Sequence, residues 1–221
     1  MIEGQFKPLQ KLQFEQFEDF AVGGIEMTFI TSAVSNSTSV TWPTVQAGDV
    51  AFVFNMNGGI GTVPTEVVPT GFTRFSTSTV ASTARYTASS KILTGSESGS
   101  LTLQSGSSDR AVLLLFRGTQ PITNLAFSTI GLGGQSGNPS SQTVLSNTEA
   151  GPIIVLACAT GLAVTTFVTE TPNFAAVTST ANNHMKVGHT IYNTVGTTNH
   201  TVDMGDVGNA NFLNSFFVRC S

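Results

Sequence analysis

The chain has 221 residues and a net charge of −4, with only 10% of residues charged and 40% hydrophobic. Its nine Lys and Arg residues are scattered, which argues against a basic face for nucleic-acid phosphates. No apolar run reaches the ~20 residues that a membrane-spanning helix needs.

The first 25 residues differ from the rest. The stretch FKPLQKLQFEQFEDF carries Phe6, Phe14, Phe17 and Phe20 among mixed charges, and Pro8 suits the first turn of a short helix. An arm or docking segment is expected over 1–25, with these phenylalanines as assembly contacts. The N-terminus lacks the apolar core of a secretory signal. Cys158 and Cys220 are therefore expected as free thiols of a reducing compartment.

From residue 26 the pattern is that of strands. Met27 to Thr31 and Val40 to Trp42 are short candidates, and AGDVAFVFN, Ala47 to Asn55, is a strong one. Asn57-Gly58-Gly59 is expected to close it in a loop at 57–61. After the turn Pro69-Thr70-Gly71 come FTRFS, Tyr86 to Leu93, Leu101 to Gln104 and Ala111 to Phe116. A β-like stretch, Ile122 to Ile130, leads to the loop GLGGQSGNPSS, which holds Gln135 and Asn138.

The pattern then starts again. Ser37 to Phe54 aligns without a gap on Ser140 to Ala157, Ala88 to Leu93 matches Gly188 to Tyr192, and LTL at 101–103 matches TVDM at 201–204. LLLFRG matches SFFVRC, with Arg117 on Arg219. The order and offset predict an internal duplication, with pseudo-repeats over about 37–120 and 140–221. An all-β fold is expected: an antiparallel, jelly-roll-like β-sandwich over 26–221. Ala111–Phe116, Ile153–Cys158 and Val50–Phe54 are apolar on both faces, whereas an isolated sandwich strand shows one polar face. Their outer faces should be covered by the arm, a long loop or another subunit.

The chemistry is sparse. No nucleophile elbow, P-loop, dinucleotide fingerprint or metalloprotease motif occurs. His184, His189 and His200 with Asp203 and Asp206 would approach a metal site only if the strands around 184–192 and 200–204 formed a hairpin; structural or surface histidines are the simpler reading. Glu66 and Glu170 fall at equivalent places in the two halves, which duplication explains without catalysis. Asp49 reads as a turn residue bonding nearby amides, Glu97 as the tip of a hairpin, and Trp42 as core. Arg117 and Arg219 close apolar strands, either as ion pairs at the sandwich end or as contacts between subunits. No catalytic residue, metal or cofactor is expected. Asn57, Gln135 and Asn138 are candidates to line receptor loops.

The order GDVAFVF, PTGFTRF, SSKILTGSESGSLTL and AVLLLFRGTQPI, followed by a degenerate second round, resembles a β-sandwich domain of tailed-bacteriophage structural proteins. The resemblance covers about residues 37–221. Pro152 replaces the Asp of the Gly-Asp turn in the second round, and that round lacks the Gly-Ser-Glu hairpin. The resemblance implies a non-enzymatic virion component on the tail, a fibre or the capsid surface, assembled in the host cytoplasm. Expected partners are other virion proteins and further copies of the chain, without nucleic acid or membrane insertion. A glycan- or receptor-binding module for host adsorption is the alternative.

Overall fold

The computed structural model describes residues 24–35, 39–58, 65–80, 84–103, 110–132, 141–145, 152–160, 169–171, 176–179, 185–193, 199–203 and 212–221. The expected contacts Phe6, Phe14, Phe17 and Phe20, and the loop residues Gln135 and Asn138, lie outside them. Among the described residues every regular element is a strand. They are β1 (Met27–Ser35), β2 (Ser39–Thr41), β3 (Ala47–Gly58), β4 (Thr73–Val80), β5 (Ala84–Thr94), β6 (Ser100–Thr102), β7 (Arg110–Gly118) and β8 (Leu125–Leu132). Then follow β9 (Ser141–Leu145), β10 (Ile153–Thr160), β11 (Thr169–Thr171), β12 (Ala176–Ser179), β13 (Met185–Tyr192), β14 (Asn199–Asp203) and β15 (Phe212–Cys220). All pairings among them are antiparallel.

Two five-stranded sheets carry the fold, ordered β1-β7-β3-β5-β4 and β8-β15-β10-β13-β12. Taken strand by strand, the second order repeats the first. The register repeats as well. Val50 stands opposite Ile92 and Phe116 in one sheet, and Ile154 opposite Ile191 and Val218 in the other. Phe29 of β1 pairs with Phe116, and Phe127 of β8 pairs with Val218. The repeated strand order begins with β1 and β8, one strand before the sequence alignment, which started at 37 and 140. The gapless alignment also slips by one: it sets Val50 on Ile153, whereas the inward-facing counterpart is Ile154. Alternation points Ile153 the other way. β3 pairs irregularly with β5 between Ala47 and Val50, where β10 runs regularly along β13.

The two sheets pack face to face. Val50, Phe52, Phe54, Val112, Leu114 and Phe116 from the first meet Ile154, Leu156, Cys158, Phe216 and Val218 from the second in one buried cluster. Rings interlock at both edges: Phe75 stacks on Phe127 at 4.4 Å, while Phe29 lies 4.1 Å from His189. Phe127 and Phe29 are register equivalents, so aromatic closure recurs at opposite edges of the sandwich.

The outer face of the first sheet has its own cover. β2 and β6 pair as a small sheet. Val40, Leu101, Leu103, Leu93 and Phe72 bury Ala51, Val53, Leu113 and Leu115 in a second core. This is why Ala111–Phe116 is apolar on both sides: each face meets a different layer of the same chain. Burying such a side chain contributes about 1.5–3 kcal/mol. In the second half β9 and β14 pair as β2 and β6 do, with β11 added, and β9 lies against β15 and β8. Val155, Ala157 and Phe217 on that outer face are buried too.

The connector between β7 and β8 is a hub of backbone hydrogen bonds. Thr119 N donates to Glu26 O (2.9 Å) and Ile122 N to Gly48 O (3.2 Å). Thr123 N and Asn124 N both donate to Ser221 O at 2.8 Å, and Ser221 N donates to Asn124 O at 3.1 Å.

Candidate functional site

The turn that starts β3 builds one corner of the sandwich. Gly48 has φ +83°, and a Cβ there would sit 2.5 Å from Pro121 Cα, so both backbone and space demand glycine. The turn brings Asp49 inward, with its side chain 1% exposed. Asp49 Oδ2 accepts from Gln46 N at 2.7 Å, the role expected of a turn aspartate. Arg117, at the end of β7, grips the same carboxylate: Nε donates to Oδ1 and Nη2 to Oδ2, both at 2.7 Å. This two-pronged bond raises the guanidinium pKa above its ordinary value, against the opposing effect of burial. Arg117 therefore makes an ion pair within its own chain. A cleft of about 170 Å³ opens beside it, lined in part by Gln46, Arg117, Thr119 and Gln120.

Arg219 occupies the equivalent place at the end of β15, half-buried and opposite Ile153 and Ala126. The aspartate is not repeated: Ile153, opposite Arg219, stands at its register position.

Glu97 organises the link from β5 to β6. Its carboxylate accepts from Thr94 N (3.1 Å), Thr94 Oγ1 (3.1 Å) and Gly95 N (3.0 Å), and it pairs with Lys91 Nζ at 2.9 Å. Burial acts to raise its pKa, but the bonds from Lys91 and Thr94 prevail and hold it at about 2. Beside Lys91 lies a larger cleft of about 320 Å³, bordered by Gly71, Ser90, Asn124 and Phe127.

Several expected sites change character. Asn57 is not a loop residue: β3 continues through it, opposite Arg85, and it is buried. Its place is the sheet face, not a surface for receptors. The imagined histidine hairpin does not form, because β13 pairs with β10 and β12 while β14 pairs with β9 and β11. His189 is neither a surface residue nor near a ligand set. It is buried against Phe29 and Phe116, and burial pushes its pKa down to about 4. Among the described residues no cluster of three metal-ligating side chains occurs. Glu66 is paired with Arg74, and Glu170 lies in β11. Trp42 stacks on Phe72 at 6.0 Å beside the second core, as expected of a packing residue. Cys158 and Cys220 are free and buried, and burial pushes the Cys220 thiol up to about 12. The Cys158 thiol lies beside the Tyr86 hydroxyl inside the core.

One feature escaped the sequence reading. β1 is the edge of its sheet, and it carries the two exposed large hydrophobics found among the described residues, Ile30 (37% exposed) and Val34 (47%). The strand MTFITSAVS has no charge and no proline, the usual guards of an edge. Its single irregularity falls between Phe29 and Thr31, which leaves Ile30 without a partner in β7. Edge position cannot be read from a strand's own residues, since it depends on the order of strands around it. Comparison of the chain with family models, with curated proteins and with solved structures gave no match.

Proposed function

We propose that the chain is a non-enzymatic structural protein of a tailed-bacteriophage particle, displayed on the tail, a fibre or the capsid surface and attached through its N-terminal segment. The observation that carries the reading is β1. An uncharged nine-residue edge with Ile30 and Val34 exposed offers backbone hydrogen bonds and apolar contact to another strand. It also follows directly on the Phe-rich residues 1–25. The order of the motifs GDVAFVF, PTGFTRF and AVLLLFRG supports the same class. Low surface charge fits a chain that spends its life in an assembly. The test is to locate labelled protein in purified particles by microscopy and by mass. Absence from every particle, with a stable monomer in solution, would overturn the reading.

The cleft beside Lys91 favours a second role within such a particle, adsorption to a host glycan or receptor. Its rim mixes hydroxyl, amide and aromatic groups, the combination that recognises sugars. A glycan array with no signal removes this role without touching the first.

A further inference from the structure

The outer face of the first sheet changes character along β3. Ala51 and Val53 lie in the second apolar core, but Asn55 and Asn57 follow them on the same face by strand alternation. Across on β5, Thr87 stands opposite Asn55, and Arg85 opposite Asn57. Four polar side chains thus form a two-by-two block on one sheet face. Asn55 and Thr87 are 1% exposed and Asn57 is 0% exposed.

The block is short of partners. Asn55 Nδ2 donates to Val67 O at 3.3 Å. Asn55 Oδ1, both polar atoms of the Asn57 amide, Thr87 Oγ1 and Arg85 Nε are all buried without a hydrogen-bond partner. The three ion pairs of the described residues use Arg74, Lys91 and Arg117. Among the described residues no carboxylate pairs with Arg85. Native proteins seldom leave a buried polar atom unmatched, and five such atoms in one block point to a guest.

We propose that this block binds a small oxyanion of carboxylate or phosphate size. The donors are of the right kind: a guanidinium N–H from Arg85, amide N–H from Asn57 and the hydroxyl of Thr87. A guanidinium with a planar fork favours an oxyanion over a spherical halide. The amide oxygens of Asn55 and Asn57 take ordered water that enters with the anion. The second half does not repeat the block: in register, Lys186 stands where Thr87 does. This assignment does not depend on the particle reading; it rests on the sheet face alone.

The test is thermal unfolding of the whole chain in acetate, phosphate or chloride at matched ionic strength. A saturable rise in Tm with acetate or phosphate, absent with chloride, is expected. Arg85→Gln should abolish the saturable part, and Thr87→Val should raise the half-saturating concentration about tenfold. Arg74→Gln, which alters an arginine of the neighbouring strand, should leave it unchanged. Phosphate also stabilises folded proteins generally, by exclusion from their surface; an equal rise in wild type and Arg85→Gln would therefore overturn the proposal. So would a crystal structure grown in phosphate that shows only water between Asn57 and Arg85. Should Arg85→Gln fail to fold, Thr87→Val decides alone, since it removes one hydroxyl and keeps the shape.

Discussion

His189 lies with its ring 4.1 Å from that of Phe29, in the space where the two sheets close on each other. The ring is 1% exposed and Nδ1 has no hydrogen-bond partner. An imidazole so placed stays neutral, and its pKa falls from 6.5 to about 4. The unfolded chain takes up a proton near pH 6.5 and the folded chain does not. Stability is therefore complete above pH 6.5 and declines as pH falls toward 4, by up to about 3 kcal/mol. Urea unfolding at pH 7.0, 5.5 and 4.5 should show that slope, and His189→Leu should flatten it.

The Asp49–Arg117 pair predicts a marked asymmetry between single and double variants. Arg117→Met leaves a buried carboxylate without its counter-charge and should cost about 2–4 kcal/mol. Adding Asp49→Asn removes the stranded charge and should recover a large part of that loss. Equilibrium denaturation of the two variants measures the difference. Equal stability would show that Asp49 finds another partner.

Glycine substitutions separate two kinds of constraint. Gly48→Ala meets Pro121 at 2.5 Å and also forces φ +83°, whereas Gly99 has φ +71° with nothing within 4 Å. Gly99→Ala should cost about 1 kcal/mol, the conformational share alone. Gly48→Ala should cost at least ~1 kcal/mol more, because backbone must move.

Glu97 secures the amides of Thr94 and Gly95. Glu97→Ala should speed hydrogen exchange at both amides by tenfold or more, while leaving Phe54 and Leu114 protected. With its pKa held near 2, the carboxylate should keep this link closed as pH falls below 4.5 and release it only on approach to pH 2.

The β1 edge gives the assembly reading a direct check. Val34→Lys puts a charge on the exposed edge and should reduce self-association or incorporation into particles, with little change in Tm. Sedimentation and particle composition read the two effects separately.

The apolar runs announced the central strands because layers of the same chain cover both faces. Leu113 and Leu115 face the β2–β6 cover, and Leu114 faces the opposite sheet. The Gly-Asp turn was equally legible, since its bonds are local. Arg117 suited an ion pair or a contact between subunits equally well, and its partner was hidden because 68 residues separate it from Asp49. Asn57-Gly58 carries turn chemistry, yet pairing with Arg85 and Ala84 holds it extended; long-range pairing overrode local preference. The same limit left β1 expected only over Met27 to Thr31: nine residues of mixed Thr, Ser and apolar type reveal neither the strand's length nor its position at an edge.

The hydrogen-bond hub between β7 and β8 sets a polarity for the whole body. Chain enters β1 beside Thr119 and leaves β15 beside Asn124, so both ends of the sandwich domain issue from one pole. The cleft beside Arg117, and the one that Asn124 helps to border, open near that pole. The Asn57–Arg85 block lies at the far ends of the same strands. A body tethered by either terminus would hold that block outward, like the head of a pin. A short linker from Ser221 to Glu26 would close the domain into a ring, and new termini opened elsewhere would reverse which pole is presented.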